Sequence, residues 1–285
     1  MSTRGGWRFY VALTFFSICW VFTAPRAMAE EGPQLPGLSH TVEIAAPMLK
    51  DGKLFLRRGT GILIGPRTVL TAAHTVLSVY DADTGSLLEG VPLDRVTVSR
   101  SSSGAKSAVS GRSVYIHDSI PLSQKADVMA VSDQDLGRYL RDLAGIYDVA
   151  VIGLNEPLGS SSERYPAITG SHPRVLGQYR FTGINLRDDA VSDFAPFALS
   201  TIVTRLTRFA VAARISYDGA LRRHRTRAGD SGGPLYSSDA DGTVTVFGVA
   251  TSSRSNVYGV WVESVYTRLD GIREWVLQHR DGIEG

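Results

Sequence analysis

An all-β fold, built from many short antiparallel strands and finished by a C-terminal helix, is what this sequence predicts. Three observations carry that expectation. Short runs rich in β-branched and aromatic residues recur between Gly, Pro, Asp and Ser turn signals, the pattern of barrels and sandwiches. Only two stretches repeat apolar residues at helical spacing. The 285 residues are 43% hydrophobic and 20% charged, which excludes a disordered, collagenous or coiled-coil chain. No repeat of fixed period is present.

Taken in order, the first element is a processing segment. Arg4 and Arg8 precede Phe9 to Phe22, an uncharged and mostly apolar run of 14 residues, and Ala27-Met28-Ala29 gives a small-x-small cleavage pattern. Residues 1–29 therefore read as a secretory signal cleaved after Ala29, since a membrane span wants about 20 apolar residues. The expected product is secreted or periplasmic, without stable membrane insertion, because no other run of 18 apolar residues follows. Cys19, the single cysteine, leaves with the signal, so no disulfide and no cysteine metal cluster is expected. Arg4, Arg8 and Arg26 leave too, so 30 basic residues become 27 against 28 acidic ones. That −1 balance argues against a nucleic-acid partner.

Residues 30–40 form a polar leader with two prolines. Strands are then expected at Lys53–Arg57, Thr60–Ile64, Thr68–Thr71, Arg95–Ser99, Ser113–His117, Asp148–Leu154, Gln178–Ile184, Ser200–Leu206, Thr243–Ala250 and Tyr258–Thr267. Arg100–Arg112, serine-rich and without periodicity, reads as a loop. Leu136, Tyr139, Leu140 and Leu143 predict a helix over Ser132–Ala144. Ile272, Trp275 and Val276 predict a terminal helix capped by Asp270, over residues 269–280. Both stripes are read as packing faces, and neither calls for a cofactor.

The chemistry is concentrated in Gly229-Asp230-Ser231-Gly232-Gly233-Pro234. A serine hydroxyl becomes a nucleophile only when a base takes its proton and donors receive the charge on the attacked oxygen. Flanking glycines allow the tight turn that aims backbone N–H groups there. The base expected is His74, after Thr71-Ala72-Ala73 at the end of an apolar run; His40, His117, His172, His224 and His279 lack such a setting. An acid must hold the imidazole in one tautomer. Asp148 opens the apolar strand Asp148–Leu154, where an unpaired carboxylate would cost several kcal/mol, so a partner is expected. Asp127, Asp133 and Asp135 lie in polar surroundings and read as solvated or capping.

Ala72-Ala73-His74, Asp148-Val149-Ala150 and Gly229–Pro234, in that order, resemble the trypsin/chymotrypsin family of serine proteases. Thr60–Ile64 resembles its strand before the histidine, and Val265-Tyr266-Thr267-Arg268 with the Trp275 helix resembles its ending, so the likeness spans about residues 41–280. The resemblance implies two six-stranded antiparallel β-barrels, here about residues 41–165 and 166–268, with the site in the cleft between them. It implies a secreted serine endopeptidase acting on polypeptides through an acyl-enzyme; no residue of the sequence is assigned to a cofactor or a metal. Ser231 would attack, His74 would act as base and then acid, and Asp148 would orient His74. Backbone N–H groups of Gly229 and Ser231 would form the oxyanion hole, and Thr251-Ser252-Ser253 would pair with substrate backbone.

The resemblance also sets Arg225 at the base of the primary pocket, with Ala250 and Ser264 as small neighbours. A guanidinium there would favour an acidic substrate side chain. Against this, Arg222, Arg223, His224, Arg225 and Arg227 form a basic run, and such runs are usually solvated. The sequence departs from the family in having no Ile-Val-Gly-Gly start after a basic cleavage site; in the family's zymogens the amine freed there pairs with the aspartate that matches Asp230. An α/β-hydrolase needs its histidine after the serine and acid, and only His279, in the terminal helix, follows Ser231. The alternative that survives is a catalytically silent binding module on the same fold.

Overall fold

The structure, a computed structural model, describes residues 38–50, 53–76, 95–102, 105–120, 147–184, 196–215, 229–255 and 261–285. The signal, most of the leader, the Ser132–Ala144 helix and Arg225 lie outside the described residues.

Strands β1 (Thr41–Lys50) and β2 (Lys53–Gly65) form a hairpin, and β3 (Thr68–Thr71) returns across the turn at Pro66-Arg67. A single helical turn, α1 (Ala73–Val76), follows. With β4 (Thr97–Ser102), β5 (Ala105–Ile116) and β6 (Ala150–Leu154) the strands close an antiparallel barrel in the order β1-β2-β3-β6-β5-β4. The second half comprises β7 (Ala167–Ile168), β8 (Gln178–Ile184), β9 (Pro196–Leu206), β10 (Ala210–Ile215), β11 (Pro234–Ser238), β12 (Val244–Ser255) and β13 (Trp261–Arg268). Its order is β11-β8-β9-β10-β13-β12, closed by the β11–β12 pairing, with β7 added in parallel along the start of β12. Helix α2 (Arg273–Glu284) ends the chain. This is the expected architecture of two closed six-stranded antiparallel barrels and a terminal helix.

Alternation along the strands explains why the barrels stack. Leu63, Val69 and Ile152 point into the first barrel with Val42, Ile44 and Val98. Their neighbours Ile62, Ile64, Leu70 and Val151 point outward into a second core shared with Tyr236, Val246, Leu269 and Val276. A strand apolar on both faces is stable only when both faces are covered. Phe181, Leu199, Val203, Val211, Leu235 and Tyr266 fill the second barrel.

Three expectations need correction. The described residues of the serine-rich stretch from Arg100 to Arg112 are strand: β4 and β5 pair from Thr97↔Ser110 to Ser102↔Ala105. Ser107 and Ala108 are exposed, whereas Val98 is buried and Val109 packs against the core, so the burial that anchors this hairpin falls at its base and leaves no sustained period-2 signal across the serine-rich part. Lys53–Arg57 and Thr60–Ile64 are one strand, β2; β1, β7, β10 and β11 were not anticipated. Asp270 does not cap the terminal helix. It begins a 3-10 turn, Asp270–Ile272, and α2 starts at Arg273 with no side-chain cap. The Asp270 carboxylate instead accepts two bonds from Arg268, at 2.9 and 2.6 Å, and contacts His172, a charge-assisted set that outcompetes a cap.

Two polar clusters anchor the segment entering β1 and the last turn of α2. Arg100 grips Glu163 with both terminal nitrogens and donates through Nε to the Ser39 carbonyl at 2.7 Å, beside buried His40. At the other end, Glu284 Oε1 accepts the Arg67 main-chain N–H at 2.9 Å and the Thr68 hydroxyl at 2.6 Å, clasping the β2–β3 turn.

Candidate active site

His74 and Asp148 meet because β3 and β6 are antiparallel neighbours. The ladder ends at Thr71↔Ala150, so the chain leaving β3 and the chain entering β6 continue side by side. Ala72 and Ala73 are fully buried, and α1 then turns the His74 ring toward Asp148. The carboxylate is used at both oxygens: Oδ1 accepts the His74 main-chain N–H at 2.9 Å, and Oδ2 lies 2.7 Å from His74 Nδ1. A carboxylate only accepts here, so Nδ1 carries the proton and Nε2 is left with its lone pair. Both side chains are 6% exposed. The buried acid that the sequence required to have a partner has one. Arg57 Nη1 donates to the His74 carbonyl at 2.9 Å, and the Thr267 hydroxyl donates to the Asp148 carbonyl at 3.4 Å from the second barrel.

Ser231 is half-buried on a loop stretched between the two barrels. On one side Gly232 N–H donates to Ala250 C=O at 2.8 Å, and Ala250 N–H returns a bond to Gly233 C=O at 2.9 Å. On the other side Thr60 N–H donates to the Ser231 carbonyl at 2.7 Å. The glycines are required by geometry: φ is +96° at Gly229 and +88° at Gly232. A Cβ at Gly232 would also collide with the Thr60 carbonyl oxygen and the Thr71 hydroxyl. Buried Asp230 packs its carboxylate against Gly183 of β8, where a Cβ would meet Oδ1. Burial, with the Asp230 charge nearby, raises the Tyr266 phenol well above its usual range.

Ala250 and Ser264 are buried, and Thr251 and Ser252 are half-buried on β12. Ser253 pairs with Ser264 across the β12–β13 ladder, next to a bulge between Ala250 and Ser252. The Thr251 hydroxyl donates to Val265 C=O at 3.3 Å.

A family model for Trypsin matches residues 50–276. The chain belongs to the trypsin family. A solved structure of a scabies mite inactivated protease paralogue, S-I1, shares the fold at a TM-score of 0.57 and 15% identity, covering 87% of this chain and 96% of that one. No curated protein sequence matches.

Within this trypsin-family chain, sequence reasoning passed over Arg57, Thr60 and Thr71, which hold the site from β2 and β3. The available signal was a threonine at the heart of an apolar strand, but threonine is also an ordinary strand former. Among the described residues no group of three or more His, Cys, Asp or Glu side chains is arranged to hold a metal ion. A cavity of about 360 Å³ beside His117, Asp270, Arg273 and Trp275 includes none of the candidate site residues in its lining.

Proposed function

We propose that this chain is a serine endopeptidase that cleaves peptide bonds through an acyl-enzyme on Ser231. One observation carries the reading: buried Asp148 accepts both the ring Nδ1–H and the main-chain N–H of His74, the arrangement that readies Nε2 as a base. His74 takes the Ser231 proton as the hydroxyl oxygen attacks the scissile carbonyl, then returns it to the leaving amine; water repeats the cycle on the acyl-enzyme. Gly229 and Ser231 N–H groups receive the developing oxyanion, for which the positive φ at Gly229 is the supporting feature. Asp148 stays ionised and steadies the imidazolium.

The test is chemical, because the scabies mite protein of the same fold is by its title an inactivated paralogue. A fluorophosphonate should label Ser231 in the processed protein, and Ser231→Ala should abolish both label and peptide hydrolysis. A folded, processed protein that takes up no label would instead support the binding-module reading. Export with cleavage after Ala29 and an Arg225 pocket preferring Asp or Glu complete the proposal. N-terminal sequencing of the exported protein and a peptide-library profile test them; a profile indifferent to acidic side chains removes Arg225 from the pocket.

A further inference from the structure

We infer that Thr60 is the positioning residue of the oxyanion-binding loop, a role that rests on the acyl-transfer reading. Thr60 is fully buried on β2 of the first barrel, whereas Gly229 and Ser231 belong to a loop bonded to β12 of the second. All four of its hydrogen-bonding groups are engaged. Its main-chain N–H donates to the Ser231 carbonyl at 2.7 Å. Its hydroxyl donates to the Gly229 carbonyl at 2.7 Å and accepts the Ile184 N–H at 3.2 Å. Its own carbonyl accepts the Thr71 hydroxyl at 2.8 Å, which locks it to the strand leading to His74.

The consequence follows from connectivity. Gly229 and Ser231 are the two ends of a three-residue arc, and the N–H groups proposed to meet the oxyanion sit on those same residues. One side chain and one peptide of Thr60 hold the carbonyl at each end of that arc. With φ at Gly229 set at +96°, pinning its carbonyl restricts where its N–H can point. An oxyanion hole works only when its donors are aimed before charge develops. Gly232 reinforces the contact, since it leaves no room for a Cβ between the loop and the Thr60 carbonyl. The residue that shapes the loop also carries the line to His74 through Thr71, so donor arc and base share one frame.

The hydroxyl is the separable part. Thr60→Val keeps the shape and the backbone bonds and deletes the bridge between Gly229 and Ile184; Thr60→Ser keeps the bridge. Active sites are counted by fluorophosphonate titration, so turnover is expressed per competent site and partial misfolding drops out. Thr60→Val should lower kcat about 10- to 100-fold, the effect of a donor moved off its target, with KM within about twofold. Affinity for a peptide boronate, which forms the tetrahedral adduct, should fall in parallel with kcat, while Thr60→Ser should rescue most of both. A purely structural threonine would lower the melting temperature and the count of titratable sites but leave kcat per site and boronate affinity unchanged; that result overturns the inference. If Thr60→Val does not fold, Thr60→Ala makes the same comparison by deleting the hydroxyl without adding a methyl. A wild-type protein that takes up no fluorophosphonate overturns the acyl-transfer reading, and this inference with it, whereas an active wild type with an equally active Thr60→Val overturns this inference alone.

Discussion

Replacing Asp148 by Asn separates the role of the carboxylate from that of its shape. In the wild-type site Oδ1 accepts a main-chain N–H at 2.9 Å and Oδ2 faces His74 Nδ1 at 2.7 Å. Asn has one accepting oxygen and one donating NH2. If the oxygen stays on the main-chain N–H, the NH2 faces Nδ1 and demands its lone pair, which moves the ring proton to Nε2 and removes the lone pair that the proposed base would use. If the amide flips, the NH2 opposes the His74 main-chain N–H, donor against donor. The first arrangement wins because it leaves no clash, and it is the wrong tautomer. Turnover should then fall by about four orders of magnitude, or about 5 kcal/mol of transition-state stabilisation. Stability should change by no more than about 2 kcal/mol, since a buried charge is removed along with a charge-assisted bond. The assay is kcat/KM on a peptide selected from the library, per fluorophosphonate-titrated site, with a melting curve alongside. A folded Asp148→Asn protein within tenfold of wild type would refute the tautomer argument.

Other expectations follow from the same contacts. Gly232→Ala places a Cβ against the Thr60 carbonyl at a φ of +88°, so it should cost about 2 kcal/mol or more and suppress fluorophosphonate labelling; retained labelling at wild-type rate would contradict the packing. Glu284→Ala leaves Arg67 N–H and the Thr68 hydroxyl without their acceptor and should cost about 1–2 kcal/mol, read as a drop of a few degrees in Tm with unchanged kcat per site. Arg100 holds the Glu163 carboxyl below its ordinary range, and burial holds His40 below its own. Both shifts mean that the unfolded chain binds more protons, so the stability these two groups contribute is full above pH 6.5 and declines on acidification, through His40 first and through Glu163 below about pH 4.5. Glu163→Gln should flatten the lower limb of a Tm-against-pH curve, and an unchanged limb would dismiss that pairing.

The legible parts of this fold were those in which burial wrote a pattern. Thr68–Thr71 and Gln178–Ile184 emerge as strands to the residue because each is apolar enough to need covering. Asp148 stood out because a carboxylate opening a buried strand demands a partner, and His74 is that partner. The β4–β5 hairpin was illegible for the opposite reason: its core contacts come from Val98 and Val109 near its base, and exposed Ser107 and Ala108 carry no apolar phase into the serine-rich part. Asp270 had the composition of a cap, but the choice between a helix N-terminus and Arg268 is made by tertiary geometry no local window contains. Thr60 was hidden in plain sight. Its hydroxyl meets Gly229 across 169 residues of sequence, and nothing local marks a threonine in a strand as a bridge.

Those long-range bonds bear on how this chain holds its site. Its single cysteine is Cys19, so no intrachain disulfide can staple one barrel to the other. What joins them is the shared core of Ile62, Leu70, Val151, Tyr236, Val246 and Leu269, together with polar contacts made by the site itself. Thr60 reaches Ser231 and Gly229 in one direction, and Thr267 reaches the Asp148 carbonyl in the other. His74 with Asp148 and the Ser231 loop therefore come from different barrels, and their alignment depends on the same interface that stabilises the fold. Loosening that core should disturb the site before it unfolds either barrel. Leu70→Ala, which opens a cavity in the shared core worth about 2–5 kcal/mol, should thus lower kcat per titrated site, whereas Val203→Ala, inside the second barrel, should lower Tm with little change in turnover. Equal losses of turnover from both substitutions would mean that the interface has no special hold on the site.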